Sequence, residues 1–258
     1  MLIYAKRFSV AETLRMYVNA PRYLLRKRLV LELLGDTRKG KCLEIGCGAG
    51  DLCATLYKMG YRVKGIDSSE DAIQLCSELH KDICRTRLVN FVCESIYEVH
   101  ETFDAIFMFE VLEHIEDDRA ALSQVYKLLN PDGDMFLSVP AHESSFGPSD
   151  TFAGHFRRYD RAKLLALLKE SRFQVETIWS YGVPLANLTE RIRNILYASK
   201  PIQAKETATA QSGIDRSIEA RLRFLCNDFF LYPFYLMQNW FLNSDLGTGY
   251  IVKAKKVN

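Results

Sequence analysis

The sequence contains no C-x-x-C pair, and its cysteines form an odd set of seven. A disulfide framework needs an even set, and the common zinc sites need paired thiolates, so neither kind of site is expected. Most of the cysteines lie in apolar runs, which is typical of buried free thiols in a reducing compartment, and we expect a cytoplasmic protein. They are Cys42, Cys47, Cys53, Cys76, Cys84, Cys93 and Cys226.

Long apolar runs are also missing. The first ten residues, MLIYAKRFSV, lack the apolar stretch of a signal peptide. The stretch nearest to a membrane span, Phe224 to Leu242, is interrupted by four polar residues and a proline. Because each of these residues would have to enter the bilayer core, a spanning helix is not expected there.

The net charge is close to zero, because the chain has 34 lysines and arginines and 32 aspartates and glutamates. The formal charge of +2 gives no reason to expect a nucleic-acid partner. The distribution is uneven, however, since residues 1–41 carry ten basic and three acidic side chains and sum to +7, which leaves −5 for the rest. At 258 residues, 48% of them apolar, the chain is long enough for one large domain with an added cap.

From about residue 41 onward, short β-rich runs alternate with helical stretches, which predicts a parallel sheet covered by helices. Three helices are clearest: Ser69–His80, Asp117–Leu129 before the turn signal NPDG, and Arg161–Glu170 with Asp160 as its cap. The predicted strands are Lys41–Ile45, Arg62–Asp67, Leu88–Cys93, Phe103–Phe109, Asp134–Val139, Phe173–Ser180 and Gly249–Lys255.

Two segments lie outside this alternation. Residues 1–35 predict two amphipathic helices broken near Pro21. Residues 183–245 are helical sequence around Lys200–Gly213, which has the composition of a mobile loop. We therefore expect an N-terminal helical cap (1–35), a ligand-binding core (36–182), a helical insertion (183–245) and a final strand that returns to the core (246–258).

The strongest local signal is an apolar strand that runs into a glycine-rich turn, KCLEIGCGAG over residues 41–50, and then into a helix from Asp51. The glycines allow a sharp turn and a close approach to a ligand, which the free amides of the helix start would face. Asp67 follows Gly46 by 21 residues at the end of the second strand, where a carboxylate can bind both ribose hydroxyls. This combination predicts a nucleotide-type site.

Two ligand classes share that geometry. A dinucleotide fingerprint, G-x-G-x-x-G, needs a glycine where this chain has Asp51, and an acidic residue there would repel a pyrophosphate. Glu44 likewise favours a ligand that carries positive charge. S-adenosylmethionine has no phosphate and carries an ammonium and a sulfonium, so it fits, whereas an NAD-dependent oxidoreductase is disfavoured.

The chain resembles the class I S-adenosylmethionine-dependent methyltransferases. CLEIGCGAG, GIDSSEDAI, FVCESIYEV, FDAIFMFEVLEHIEDD and LLNPDGDMFLSVPA resemble the five motifs of that family in order. The resemblance implies a Rossmann-like methyltransferase fold, a seven-stranded mostly parallel sheet with helices on both faces, and S-adenosylmethionine as cofactor. The cofactor residues it implies are Glu44, Gly46, Cys47 and Gly48 at the methionyl part, Asp67 and Ser68 at the ribose, Glu94, Ser95 and Ile96 at the adenine, and Phe109 and Glu110 near the methyl group.

The string Glu110-Val-Leu-Glu113-His114 matches an E-x-x-E-H motif implicated in divalent-metal binding in similar quinone-biosynthesis O-methyltransferases. The same string occurs in relatives without a known metal, where it shapes the pocket floor. Two carboxylates and an imidazole could hold a metal, but nothing else in the sequence supports one, and we expect none.

Candidate bases for the acceptor lie on the loops after the fourth and fifth strands, where a parallel sheet opens its active site. His155 is the first choice, His142 the second, and His114 a further candidate. Arg157 and Arg158 could bind an anionic acceptor, or could instead pair with surface carboxylates.

The sequence therefore predicts a methyltransferase for a small molecule that is hydrophobic, lipid-linked or sugar-derived, with O-methylation preferred. N-methylation of a small amine and a non-catalytic methyltransferase-like binding protein are the alternatives. The insertion is rich in aromatic residues, which would either pack a helical subdomain or contact a hydrophobic or lipid-linked acceptor. In the second case Arg22, Arg26, Lys27 and Arg28 would face anionic lipid at a membrane surface.

Overall fold

The computed structural model describes residues 19–198, except 36 and 38, and residues 227–257. Seven strands form one sheet in the order β3-β2-β1-β4-β5-β7-β6. The strands are β1 (Lys41–Ile45), β2 (Arg62–Asp67), β3 (Val89–Cys93), β4 (Phe103–Phe109), β5 (Leu129–Pro140), β6 (Phe173–Tyr181) and β7 (Gly249–Lys256). All seven predicted strands are confirmed, and only β7 runs against the others, pairing antiparallel with β5 and β6.

The helices that connect these strands include the three clearest predictions. They are α1 (Pro21–Leu34), α2 (Asp51–Lys58), α3 (Glu70–Leu79), α4 (Lys81–Cys84), α5 (Asp118–Leu128), α6 (Pro148–Ala153), α7 (Arg161–Glu170), α8 (Leu185–Tyr197) and α9 (Asp228–Asn239). Ser69 and Asp117 cap α3 and α5 by accepting from the backbone N–H three residues on. Asp160 occupies the predicted N-cap position of α7, but its carboxylate makes no cap hydrogen bond there and accepts instead from the Glu143 N–H at 3.0 Å.

The NPDG turn lies inside the bounds of β5. The ladder between β4 and β5 passes from Leu129 directly to Asp134, and Asp132 takes a φ of +59°. The four residues therefore form an irregularity in a longer strand rather than a separate turn before it.

The sheet carries a hydrophobic core on each face, because successive side chains of a strand point to opposite sides. Ile106 and Leu137 face the core that α5 and α7 complete, whereas Phe107 and Phe136 face the core that α1 and α2 complete and stack with ring centroids 4.9 Å apart. Both faces are covered by buried apolar side chains, so the carboxyl ends of the strands are the natural place for a site.

The N-terminal helix and the insertion meet. Leu25 of α1 packs with Leu231 and Tyr235 of α9, and the buried Gln238 side chain donates to the Leu25 carbonyl at 3.3 Å. The first of the two predicted N-terminal helices and the segment Lys200–Gly213 lie outside the described residues.

The cysteines behave mostly as expected. The six described cysteines are free thiols. Cys42, Cys47, Cys53 and Cys76 are buried, Cys84 is half-buried, Cys93 is exposed, and Cys226 lies outside the described residues. Among the helices that the structure describes, none combines the length and the apolarity needed to cross a bilayer.

Candidate active site

The glycine-rich turn joins β1 to α2 at the carboxyl end of the sheet. Gly46 has a φ of +69°, and a Cβ atom there would lie 2.4 Å from the Val111 side chain. Gly50 has a φ of +75°, and its Cβ atom would lie 2.8 Å from the Phe91 ring. Both positions therefore require glycine for conformation and for space. The turn is pressed against the ends of β3 and β4, and Cys47 between its glycines is buried.

Asp67 ties this turn to the end of β2. One carboxylate oxygen accepts from the Gly48 N–H at 2.9 Å and the other from the Ser69 N–H at 3.0 Å. Burial raises the pKa of Asp67, while these two hydrogen bonds oppose the shift. Ser68 lies exposed beside it. The structure thus brings Asp67, Ser68 and the glycine turn together.

Glu44 lies beneath the turn and is buried. Its carboxyl group accepts from the Cys53 thiol at 2.8 Å. Burial raises the pKa of Glu44 to about 8, so the carboxyl group is largely uncharged at pH 7. The negative charge expected at Glu44 is therefore largely absent at pH 7 in the protein without a bound cation.

The third predicted group lies after β3. Glu94 is held by Lys64, whose ammonium is 2.5 Å from the carboxylate. Ser95 caps the short turn Ile96–Glu98, and its own N–H donates to the Glu98 side chain at 2.7 Å. Ile96 is buried. These residues border the site, but the Glu94 carboxylate and the Ser95 N–H already have partners.

Glu110 follows Phe109 at the end of β4 and adopts a φ of +56°. Its carboxylate accepts from the Ser138 and Tyr181 hydroxyls, each at 3.0 Å. It also pairs with Arg22 at 2.9 Å and Arg26 at 3.4 Å. Although burial would raise it, the two arginines lower the pKa of Glu110 to about 2.

A second carboxylate also binds α1. Asp51, the first residue of α2, accepts from the Lys27 ammonium at 2.6 Å and from the Tyr23 hydroxyl at 2.7 Å. Burial opposes these contacts, but they lower the pKa of Asp51. The expectation that Arg22, Arg26 and Lys27 face a membrane is therefore wrong, because all three point inward to site carboxylates.

Sequence reasoning missed these inward contacts. Arg22 and Arg26 are four residues apart and share the helix side that holds the buried Leu25 and Leu29. That spacing was the signal, since a cation on the apolar side of a helix needs a buried partner. Arg28 alone of the four is half-exposed, where it pairs with Glu32 and lies 4.9 Å over the Tyr235 ring.

The predicted acceptor histidines separate into two places. His114 and His155 pack edge to face with ring centroids 4.6 Å apart. His142 lies elsewhere, with its Nε2 atom 3.1 Å from the Gly247 carbonyl and its ring against Tyr250. Burial and the neighbouring His155 lower the pKa of His114 to about 3, so its imidazole is neutral at pH 7.

Glu113 completes the cluster around His114 and His155. It is fully buried, and neither of its carboxyl oxygens has a hydrogen-bond partner in the structure. The His155 Nε2 atom is 4.0 Å from one of those oxygens. Burial and the nearby Glu110 raise the pKa of Glu113 well above its ordinary value.

The E-x-x-E-H string does not act as one ligand set here. Its first carboxylate, Glu110, is already neutralised by two arginines, so it cannot also bind a metal cation. One potential ligand atom each from Glu113, His114 and His155 lies within 4.8 Å of the others. The ligand set implied by the motif therefore does not fit a metal ion.

The two arginines of the loop before α7 pair with carboxylates. Arg157 lies 2.8 Å from Asp118, and the buried Arg158 contacts Asp150 and Glu190 at 2.8 and 2.5 Å. Both arginines therefore pair with carboxylates, as one of the two alternatives predicted, but the Asp150 partner of Arg158 is buried rather than at the surface. Asp150, which the sequence did not single out, also contacts His155 at 2.8 Å.

Comparisons with known proteins identify relatives of this chain. The methyltransferase domain family matches residues 17–178. The ubiquinone biosynthesis O-methyltransferase of Bradyrhizobium diazoefficiens is 36% identical over 111 residues, which is 42% of this chain and 42% of that protein. The mitochondrial ubiquinone biosynthesis O-methyltransferase of Homo sapiens is 34% identical over 104 residues, covering 38% and 28%. The chain thus aligns with less than half the length of either relative.

Solved structures share the fold. The magnesium protoporphyrin IX methyltransferase of Synechocystis PCC 6803, crystallised with bound SAH, superposes with a TM-score of 0.56 at 14% identity, covering 94% of this chain and 91% of that one. The (4+2)-cyclase SpnF superposes with a TM-score of 0.59 at 16% identity, covering 92% and 84%. Since a cyclase shares it, the fold alone does not decide the reaction.

Proposed function

Because the chain belongs to the methyltransferase domain family, we propose that this S-adenosylmethionine-dependent methyltransferase transfers the methyl group to a hydroxyl oxygen of a small, hydrophobic acceptor. The cofactor is S-adenosylmethionine. The observation that carries the proposal is the joint placement of the glycine turn and Asp67 at the carboxyl ends of β1 and β2. In the proposed complex Asp67 and Ser68 bind the ribose, and Gly46, Cys47 and Gly48 surround the methionyl part.

The remaining cofactor contacts follow from the neighbouring strand ends. Ile96 and the edge of β3 would hold the adenine ring, with Glu94 reaching its amino group if the Lys64 pair opens. Phe109 and Glu110 would lie near the methyl group. Glu44 would face the ammonium, which favours ionisation of its buried carboxyl group. The guanidinium groups of Arg22 and Arg26 suit the methionyl carboxylate.

Transfer of the methyl group requires alignment and removal of one proton. The acceptor oxygen attacks the methyl carbon while the carbon–sulfur bond breaks and its electron pair passes to sulfur. Of the predicted bases, His155 is favoured because its Nε2 atom is 4.0 Å from the nearest oxygen of Glu113 and is not hydrogen-bonded to it. His142 already contacts a carbonyl, and His114, with a pKa of about 3, is too weak a base.

The proposal of a hydrophobic or lipid-linked acceptor rests on α8 and α9. Apolar side chains at helical spacing are exposed on α8, among them Leu188, Ile192 and Ile195. On α9, Phe229 is 93% exposed, although Leu231 and Tyr235 are buried, and Trp240, directly after the helix, is 81% exposed. The aromatic residues therefore only partly pack a subdomain, and the exposed ones suit an apolar acceptor or membrane surface. The division of the chain into cap, core and insertion is part of this proposal.

We also propose a cytoplasmic location. The six described cysteines are free, and two of them, Cys84 and Cys93, are not buried. A reducing compartment preserves such thiols.

Radiolabelled S-adenosylmethionine tests the proposal directly. A phenol and a primary amine, each with and without a matched alkyl tail, serve as acceptor probes. We expect label to enter the tailed phenol most efficiently. Methylation of the amines alone would contradict O-methylation, and no preference for the tailed probes would contradict a hydrophobic acceptor. Sedimentation with anionic liposomes at low salt tests membrane contact. The hypothesis of membrane contact is contradicted if the protein stays in the supernatant.

A further inference from the structure

Three side chains of alternating charge, Glu190, Arg158 and Asp150, form a row that starts on α8 and ends at His155. Glu190 lies 2.5 Å from Arg158. The Arg158 Nε–H donates to one oxygen of Asp150 at 2.9 Å, and a terminal guanidinium nitrogen lies 2.8 Å from the other oxygen as an ion pair. Asp150 lies 2.8 Å from the His155 Nδ1 atom. We propose that Asp150 is a positioning residue that fixes the ring and the tautomer of His155 for proton removal from the acceptor. This inference rests on the proposed function.

The row determines which nitrogen of His155 carries the proton. A carboxylate can only accept a hydrogen bond, so Nδ1 must be the donor and Nε2 must keep its lone pair in the neutral ring. The groups that face the ring are Asp150, Glu113 and His114. Because the gap of 4.0 Å to Glu113 exceeds a hydrogen bond, the Nε2 lone pair is not used by that side chain.

Asp150 is itself held on every side. It is 2% exposed, and one of its oxygens also accepts from the Gly147 N–H at 2.9 Å. Its backbone carbonyl accepts from the His155 N–H at 3.0 Å, and the next N–H, that of Phe156, donates to the Glu113 carbonyl at 2.8 Å. These bonds allow little rotation of the carboxylate. The imidazole it contacts is therefore fixed relative to Glu113.

Arg158 and Glu190 extend the support to α8. Burial alone would raise the pKa of Asp150, but its contacts with His155 and Arg158 lower that pKa well below its ordinary value. The Asp150 carboxylate is therefore charged. Glu190 belongs to the helix that exposes the apolar side chains proposed to meet the acceptor. The Glu190–Arg158 and Arg158–Asp150 ion pairs thus connect α8, where the acceptor is proposed to bind, with the proposed base His155.

The proton balance follows from this arrangement. The acceptor O–H proton moves to the His155 Nε2 atom as the oxygen bonds to the methyl carbon and the sulfonium becomes a thioether. The imidazolium that results is doubly protonated and is stabilised by the Asp150 carboxylate. It returns to neutrality by releasing one proton to water.

The first test reads the tautomer in the wild-type protein without any acceptor. The chain has five histidines, so long-range proton–nitrogen NMR spectra are simple, and the His155→Gln spectrum assigns the resonance. We expect His155 to be protonated at Nδ1. Protonation at Nε2, or broadening of the His155 signals by micromolar Mn²⁺ together with loss of activity on chelation, would overturn the proposal. The second outcome would make His155 a cation ligand.

The second test compares three variants with the tailed phenol as acceptor. Asp150→Asn should lower kcat about 100-fold, leave KM for S-adenosylmethionine within about twofold, and give mixed His155 tautomers. Asp150→Glu should recover part of the rate. Asp160→Asn, ten residues further along the chain and outside the row, should match the wild type. An unchanged kcat and tautomer in Asp150→Asn would overturn the proposal.

A fourth variant keeps the test decisive if Asp150→Asn does not fold. Glu190→Gln removes the outer charge of the row, and it should lower kcat severalfold with the same shift in tautomer. Wild-type binding and turnover report separately on the proposed function. If the protein binds S-adenosylmethionine but methylates none of the probes, the proposed function is contradicted, whatever the tautomer of His155.

Discussion

Replacing Glu110 with glutamine should destabilise the protein far more than the loss of an exposed carboxylate. In the wild type the Glu110 carboxylate lies 2.9 Å from the Arg22 guanidinium group and 3.4 Å from that of Arg26. In the variant both guanidinium groups face a neutral amide instead. The Arg22 and Glu110 side chains are 22% and 19% exposed, and removing one partner of such a largely buried ion pair leaves the other charge uncompensated. Since both arginines belong to α1, the docking of that helix should weaken first.

The magnitude follows from the pKa of Glu110. Its fall from an ordinary value of 4.5 to about 2 corresponds to about 3 kcal/mol of stability at neutral pH. Because the folded-state pKa is depressed, this stability is fully present above about pH 4.5 and is lost as the pH falls toward 2. For a chain of this length we expect a decrease in Tm of roughly 6–12 °C at pH 7.

Urea unfolding at pH 7 and pH 4 measures the effect. The difference between wild type and Glu110→Gln should be about 3 kcal/mol at pH 7 and should narrow by about 1 kcal/mol at pH 4. Glu143→Gln is the matched control, because that carboxylate is exposed and pairs with the exposed Lys163. A loss below about 1 kcal/mol at pH 7, or the same loss at both pH values, would refute the buried charge cluster.

Three further outcomes are expected. Asp67→Asn should weaken S-adenosylmethionine binding by roughly 10- to 100-fold in calorimetry, since it loses charge-assisted acceptors for the ribose, and a change below threefold would count against that role. Gly46→Ala should destabilise the fold because its Cβ atom would lie 2.4 Å from Val111, and Val111→Ala should restore part of the loss of urea stability; no recovery would mean that backbone strain dominates. Glu44, whose pKa is raised to about 8, should release its proton when the cofactor ammonium binds. Calorimetry at pH 7 in buffers of different ionisation enthalpy should detect that proton, and Glu44→Gln should abolish the dependence.

The sheet and its ligand turn could be predicted because their determinants are local. Each strand is a short apolar run, and the turn between β1 and α2 needs glycine at positions that the backbone alone dictates. Asp67 could be placed because the length of a βαβ unit brings the end of β2 beside that turn. The adenine side was harder, since the Lys64 contact with Glu94 depends on a cross-strand neighbour rather than on sequence spacing.

The charge clusters could not be predicted because their partners are distant in sequence. Arg22 and Glu110 are separated by 88 residues, and neither position alone reveals the other. Asp160 precedes a helix and is an ordinary cap by sequence, yet a loop 17 residues upstream takes its carboxylate. Asp150 gave no signal, because its role depends on the fold bringing together His155, five residues away, and Arg158.

The central claim is that the methyl group of S-adenosylmethionine passes to a hydroxyl oxygen of a small, hydrophobic acceptor. Incubating the protein with carbon-13-methyl S-adenosylmethionine and a metabolite extract, then identifying the labelled product by NMR and mass spectrometry, tests it most directly. We predict an O-methyl ether or ester that partitions into organic solvent. A labelled N-methyl product, or no labelled product from an extract that contains both acceptor classes while the protein binds the cofactor, would contradict it.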